Sequence, residues 1–164
     1  MSLAPLAERL LRACRENGLA LATAESCTGG MVSAALTGVA GASDVFDRGY
    51  VTYGNEAKAE LLGVPIEHTR DPGAVSALVA REMAEGALPT RGVSLAITGI
   101  AGPGGGSAAK PVGLVFVAAA RTGRDTMVEE HRFRDAEPDA DRARVRQLAA
   151  EAALRLALAQ AEAP

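Results

Sequence analysis

Two short apolar runs, Leu19 to Ala24 and Val93 to Ile97, each pass straight into a loop of glycine and hydroxyl residues. Runs of this length bounded by turn residues read as buried strands. The first opens into Glu25-Ser26-Cys27-Thr28-Gly29-Gly30. The second opens into Thr98-Gly99-Ile100-Ala101-Gly102-Pro103-Gly104-Gly105-Gly106-Ser107, the most glycine-rich segment of the chain. In open α/β sheets, ligands bind beyond the carboxyl ends of strands. The two loops are therefore candidates to converge on one site.

The remaining pattern fits a layered α/β domain. Leu3, Leu6, Leu10, Leu11 and Cys14 recur at helical spacing over residues 1–17, and Asn17-Gly18 supplies the stop. Helices are expected over Met31 to Leu36, Glu56 to Leu62, Ala77 to Leu88 with Ser76 as its cap, and Asp141 to Ala161. Leu78, Val79, Met83 and Leu88 supply the apolar face of the third of these. Val145, Leu148, Ala152, Leu156 and Ala159 form one stripe of the last. Strands are expected over Val45 to Tyr53, Val112 to Ala120 and Thr126 to Phe133, with Val128 and Phe133 pointing inward. Consecutive strands in the second half predict a mixed sheet. Residues 1–164 show no internal repeat and no linker, so a single domain is expected.

Composition removes several classes of function. A net charge of -3 leaves no basic footprint for DNA or RNA. Two Tyr, three Phe and no Trp are too few for a stacking platform that holds single strands. No apolar stretch approaches the roughly 18 residues of a membrane span. Two Cys and two well-separated His make neither a disulfide framework nor a metal site, so a metal-free, cofactor-free cytoplasmic protein is expected. The 35 Ala and 18 Gly predict elements packed close together.

Ser26 sits where a strand-to-helix turn would present a hydroxyl beside backbone N–H groups, a setting for a nucleophile and an oxyanion. Cys27 is its rival; alternatively Ser26 or Thr28 is a helix cap and Glu25 a solvated charge. A serine nucleophile needs a base, and Lys58 can serve if burial lowers its pKa; otherwise it is a surface lysine. The 98–107 loop with Lys110-Pro111 has the glycine content of a phosphate cradle but lacks the P-loop pattern, and can equally be a flexible connection. Arg142 and Arg146, at i and i+4, share a helix face and can clamp a phosphate or carboxylate; otherwise they form a solvated basic face. Leu154, Leu156 and Leu158 on the last helix cannot all face one core, so a homodimer or higher homo-oligomer is expected.

Together, ESCTGG at 25–30, Tyr53-x-Asn55-x-x-Lys58, LLGV at 61–64, AVS at 74–76 and TGIAGPGGGSAAKPVG at 98–113 resemble the CinA C-terminal domain. This is the family of nicotinamide-nucleotide amidases, and the resemblance runs in order over about Leu3 to Leu158. It implies a stand-alone three-layer α/β/α sandwich. It further implies hydrolysis of nicotinamide mononucleotide to nicotinic acid mononucleotide and ammonia, a step of pyridine-nucleotide salvage, by a Ser/Lys dyad without cofactor or metal. Ser26 would be the nucleophile and Lys58 the base, with Tyr53 and Thr98 orienting dyad or substrate. Thr28, Gly29, Gly30, Asn55, Gly99, Gly102, Gly104, Gly105, Lys110, Arg142 and Arg146 would surround the nucleotide. Backbone N–H groups of residues 26–29 would hold the oxyanion. Two positions depart from the family pattern: Gly54 replaces a more usual Ser, and Ala108-Ala109 replace residues that are commonly polar. The alternative function is a non-catalytic nucleotide-binding module of the competence/damage-inducible type.

Overall fold

Strand β1 (Ala20–Glu25) pairs in parallel with β2 (Phe46–Val51) on one side and β3 (Gly92–Gly99) on the other. Strands β4 (Leu114–Arg121) and β5 (Met127–Arg132) follow as antiparallel neighbours, giving the order β2-β1-β3-β4-β5. The computed structural model describes residues 2–164; Met1, the first residue of the expected amino-terminal helix, lies outside them. The chain leaves β1 for β2 and then recrosses to β3. The carboxyl end of β1, where Ser26 follows, is thus a topological switch point.

Among the described residues, five helices cover the two faces of this mixed sheet. On one face lie α1 (Ala4–Glu16), α2 (Met31–Thr37) and α6 (Arg142–Glu162), meeting Leu21, Leu95, Ile97, Val115 and Val117 of the strands. On the other lie α3 (Asn55–Leu62) and α4 (Ala77–Ala87), whose Leu62, Val79 and Met83 meet Ala24, Ala96, Phe116 and Ala118. The strand residues alternate between the two cores, as the two-residue period requires. The one-turn helix α5 (Phe133–Ala136) links β5 to α6. The expected three-layer α/β/α arrangement is the observed one.

Small residues set the layer spacing. A Cβ on Gly86 of α4 would stand 2.0 Å from the Leu62 carbonyl oxygen, and one on Gly92 would stand 2.3 Å from that of Ala20. Backbones this close leave no room for rings, which accounts for the scarcity of aromatics. The expected cap is present, with Ser76 Oγ accepting from Val79 N, and Asp141, placed in the expected last helix, instead caps it, its Oδ1 accepting from Arg144 N.

Three expectations on packing are corrected. Leu154, Leu156 and Leu158 are all buried inside the single chain, because α6 is enclosed by β3, β4 and α1. They therefore supply no argument for an oligomer. The stripe expected to face the core is instead split: Val145 and Leu156 are buried, whereas Leu148, Ala152 and Ala159 line an outer groove against β5. Val128 and Phe133 both pack inward as expected, Val128 against the α4-side core and Phe133, at the start of α5, against the α6-side core. Leu78 is exposed, leaving Val79, Met83 and the alanines of α4 to face inward. No helix among the described residues is long and apolar enough to cross a membrane.

Candidate active site

Extending the β1 registers by one residue sets Ser26 between Thr52 and Thr98. The last pairs are Glu25 with Val51 and Glu25 with Ile97, and the ladder persists through Thr52 N to Glu25 O and Ser26 N to Ile97 O. Ala24 and its partners Tyr50 and Ala96 belong to the α4-side core, so the next even positions turn toward α3 and α4. Three hydroxyl residues thus stand in a row at the strand ends, on the face from which α3 delivers Lys58.

Lys58 is 1% exposed, and its Nζ lies 3.1 Å from Ser26 Oγ. Nζ also donates to Thr52 O at 2.8 Å and Tyr53 O at 3.2 Å. No carboxylate pairs with it among the described residues, and burial lowers its pKa below the ordinary lysine value. A neutral amine has two N–H donors and one lone pair. The two carbonyls take the donors, which aims the lone pair at the Ser26 hydroxyl. The surface-lysine alternative is excluded by this burial. Cys27 is also buried, chiefly for which reason its thiol is pushed up to about 11. It is a poor source of thiolate, and its side chain packs in the core beside α1, α2 and α6.

Glu25 is where the sequence reading fails most. It is fully buried, not solvated, and it caps α2 in place of Ser26 or Thr28. Its Oε1 accepts from Val32 N at 2.8 Å; its Oε2 accepts from Ser33 N at 3.0 Å and Ser33 Oγ at 2.8 Å. The carboxylate fills the helix N-terminus and frees the Ser26 hydroxyl from capping. Of the amides expected to hold an oxyanion, Ser26 N is spent on Ile97 O and Gly29 N on Ser26 O. Cys27 and Thr28 remain. Gly29 and Gly30 adopt φ of +61° and +99°, which lets the turn close over Ser26.

Arg142 and Arg146 both reach from α6 to these loops. Arg146 donates to Cys27 O at 3.0 Å and Thr28 O at 2.9 Å, so it braces the Ser26 turn. Arg142 donates to Gly102 O at 2.7 Å and to the Tyr53 hydroxyl at 3.1 Å. Neither forms an ion pair among the described residues, whereas Arg144 between them is matched by Glu137. Two uncompensated positive charges therefore stand at the Ser26 end of the sheet, in a chain of net charge -3.

The other expected residues divide. Thr98 is buried, but its hydroxyl donates to Ala74 O, so it fixes the 72–76 segment and does not touch the pair. Lys110 Nζ donates to Pro72 O and ties the glycine-rich loop to the same segment. Gly99 is a packing requirement, since a Cβ there would meet Val115 Cγ2 at 2.6 Å. Gly102 has φ +84° and offers its carbonyl to Arg142. Gly104 and Gly105 line a separate cavity of about 510 Å3 with Arg132 and Arg134, which contains neither Ser26 nor Lys58. Asn55 is half-buried at the start of α3, and Tyr53 is exposed. Gly54 caps α3 with no side-chain bond, the contact a serine there would supply. Two buried hydroxyls, Thr28 Oγ1 and Thr52 Oγ1, have no hydrogen-bond partner among the described residues. Thr52 is not among the expected residues, because it falls inside the strand expected over Val45 to Tyr53 and only the β1–β2 register sets it beside Ser26. Among the described residues, no three His, Cys, Asp or Glu side chains gather as a metal site would require.

Comparison with known proteins returns one family. A family model described as CinA C-terminal domain matches residues 3–161. A CinA-like protein of Syntrophobacter fumaroxidans is 53% identical over 146 residues, covering 87% of this chain and 32% of that protein. A CinA-like protein of Geobacter sulfurreducens is 55% identical over 125 residues, 74% of this chain and 30% of that protein. The chain thus spans about a third of the length of these curated relatives. Among solved structures, the competence/damage inducible protein CihA of Agrobacterium tumefaciens superposes with a TM-score of 0.89 at 43% identity, covering 97% of this chain and 95% of that one. A CinA superfamily protein of Klebsiella pneumoniae gives 0.87 at 33% identity, covering 98% of both chains.

Proposed function

The chain belongs to the CinA C-terminal domain family, and on that footing we propose that it is a nicotinamide-nucleotide amidase working through Ser26 and Lys58. The observation that carries this reading is the 3.1 Å contact between a strand-end serine and a buried lysine without an acidic partner. Ser26 Oγ attacks the carboxamide carbon of nicotinamide mononucleotide while Lys58 Nζ takes its proton. The amides of Cys27 and Thr28 receive the oxyanion. The C–N bond then breaks, Lys58 passes its proton to the leaving nitrogen, and ammonia departs from an ester on Ser26. Water attacks the ester, its proton goes to Lys58, and the proton returns to Ser26 as nicotinic acid mononucleotide leaves.

The positive pair Arg142 and Arg146 supports an anionic substrate. Arg142 is the better phosphate ligand, because it is exposed, whereas Arg146 is half-buried against the Ser26 turn that it braces. Tyr53 lies beside Arg142 and offers its ring to the pyridine. The activity belongs to cytoplasmic nucleotide salvage. The expected homo-oligomer rests now on the groove between α6 and the unpaired edge of β5, lined by Met127, Leu148 and Ala152. Incubation with nicotinamide mononucleotide should release ammonia and the acid in equal amounts, and Ser26→Ala should abolish both. Binding without product in the wild-type protein and Lys58→Ala alike would favour the non-catalytic module instead.

A further inference from the structure

We propose that the Thr52 hydroxyl holds the water that releases the acyl group from Ser26, an inference that rests on the amidase reading above. Thr52 stands directly across from Ser26 in the extended β1–β2 register, on the same face. It is fully buried, and its Oγ1 has no hydrogen-bond partner among the described residues. Such a group is costly to bury, so fold stability alone does not account for it. Its neighbour Thr98, on the opposite side of Ser26, has its hydroxyl satisfied by Ala74 O. Thr52 therefore carries the row's unused hydroxyl, adjacent to the nucleophile.

The carbonyl of Thr52 itself accepts from Lys58 Nζ at 2.8 Å. A water on the Thr52 hydroxyl is thus beside the amine that must take its proton. Before acylation, the lone pair of Lys58 faces the Ser26 hydroxyl. Once Ser26 Oγ is esterified it has no proton to give, and the lone pair is open to water. An ordered water needs two or more polar partners, and Thr52 Oγ1 and Lys58 Nζ supply two. In this step the water oxygen bonds to the acyl carbon and the ester C–O bond breaks. The water proton passes to Lys58, and Ser26 Oγ takes a proton back.

The test compares wild type, Thr52→Val and Thr52→Ser on nicotinamide mononucleotide. Loss of the hydroxyl should slow decay of the acyl-enzyme about 10- to 100-fold. Intact-mass spectra of the valine variant should then show the adduct on Ser26 at steady state. kcat and KM should fall together, leaving kcat/KM, which reports acylation, within about twofold of wild type. The serine variant should restore decay, and urea midpoints should establish that both variants fold. A fall in kcat/KM without adduct, or no rescue by serine, overturns the proposal while sparing the amidase reading. A folded wild type that makes no product removes both.

Discussion

Replacing Glu25 by Gln isolates the group that holds the Ser26 turn in place. The carboxylate accepts three hydrogen bonds from α2, two of them from the backbone N–H groups of Val32 and Ser33. The glutamine oxygen can keep the bond to Val32 N. Its NH2 group then faces Ser33 N, two donors opposed, while Ser33 Oγ can turn to accept. One buried N–H is orphaned, at about 1–3 kcal/mol. Loss of negative charge at the helix N-terminus adds roughly 0.3–1 kcal/mol. The sum is about 1.3–4 kcal/mol, and at ~2–4 °C per kcal/mol for a chain of this size it lowers Tm by roughly 3–16 °C. Urea and thermal unfolding followed by circular dichroism measure it. A change below ~0.5 kcal/mol, the range of an ordinary surface substitution, would refute the assignment of Glu25 as the cap.

Four further outcomes follow from the same geometry. kcat/KM should rise with pH on an ionisation below the ordinary lysine value, because burial favours neutral Lys58 and the base must be neutral to act. Between that pKa and the unfolded value of 10.5, the unfolded chain binds the additional proton, so the Lys58 contribution to stability should also rise with pH across that window. Cys27→Ser should keep most activity, and the native Cys27 thiol, pushed up to about 11, should resist iodoacetamide near neutrality; rapid labelling would contradict its burial. Gly86→Ala, which in an open helix would gain about 1 kcal/mol, should instead cost roughly 1–3 kcal/mol because the new Cβ meets the Leu62 carbonyl; a raised urea midpoint would count against the packing described.

The architecture was legible where local pattern and long-range packing agree. The apolar runs before Ser26 and Thr98, the Ser76 cap and the stop at Asn17-Gly18 all appear as expected. The site was legible as a set of loops, and less so as a set of roles. Burial of Glu25 depends on where α2 folds back, and nothing local distinguishes it from a solvated acid. The Thr98 and Lys110 side chains are claimed by the 72–76 segment, a partner remote in sequence. The outward stripe of α6 has helical period, and only the enclosure of its other sides by α1, β3 and β4 shows which face is the core. Thr52 becomes visible only through the parallel register that sets it beside Ser26.

The central claim is that buried Lys58 makes Ser26 a nucleophile, and covalent labelling tests it without assuming a substrate. A small serine-directed sulfonyl fluoride, followed by peptide mass spectrometry, reports which hydroxyl reacts. The account predicts modification of Ser26 in the wild-type protein, with a rate that rises with pH, and none in folded Lys58→Met. Equal labelling of Ser26 in the methionine variant, or an unreactive Ser26 beside a reactive Cys27 in the wild type, would contradict it.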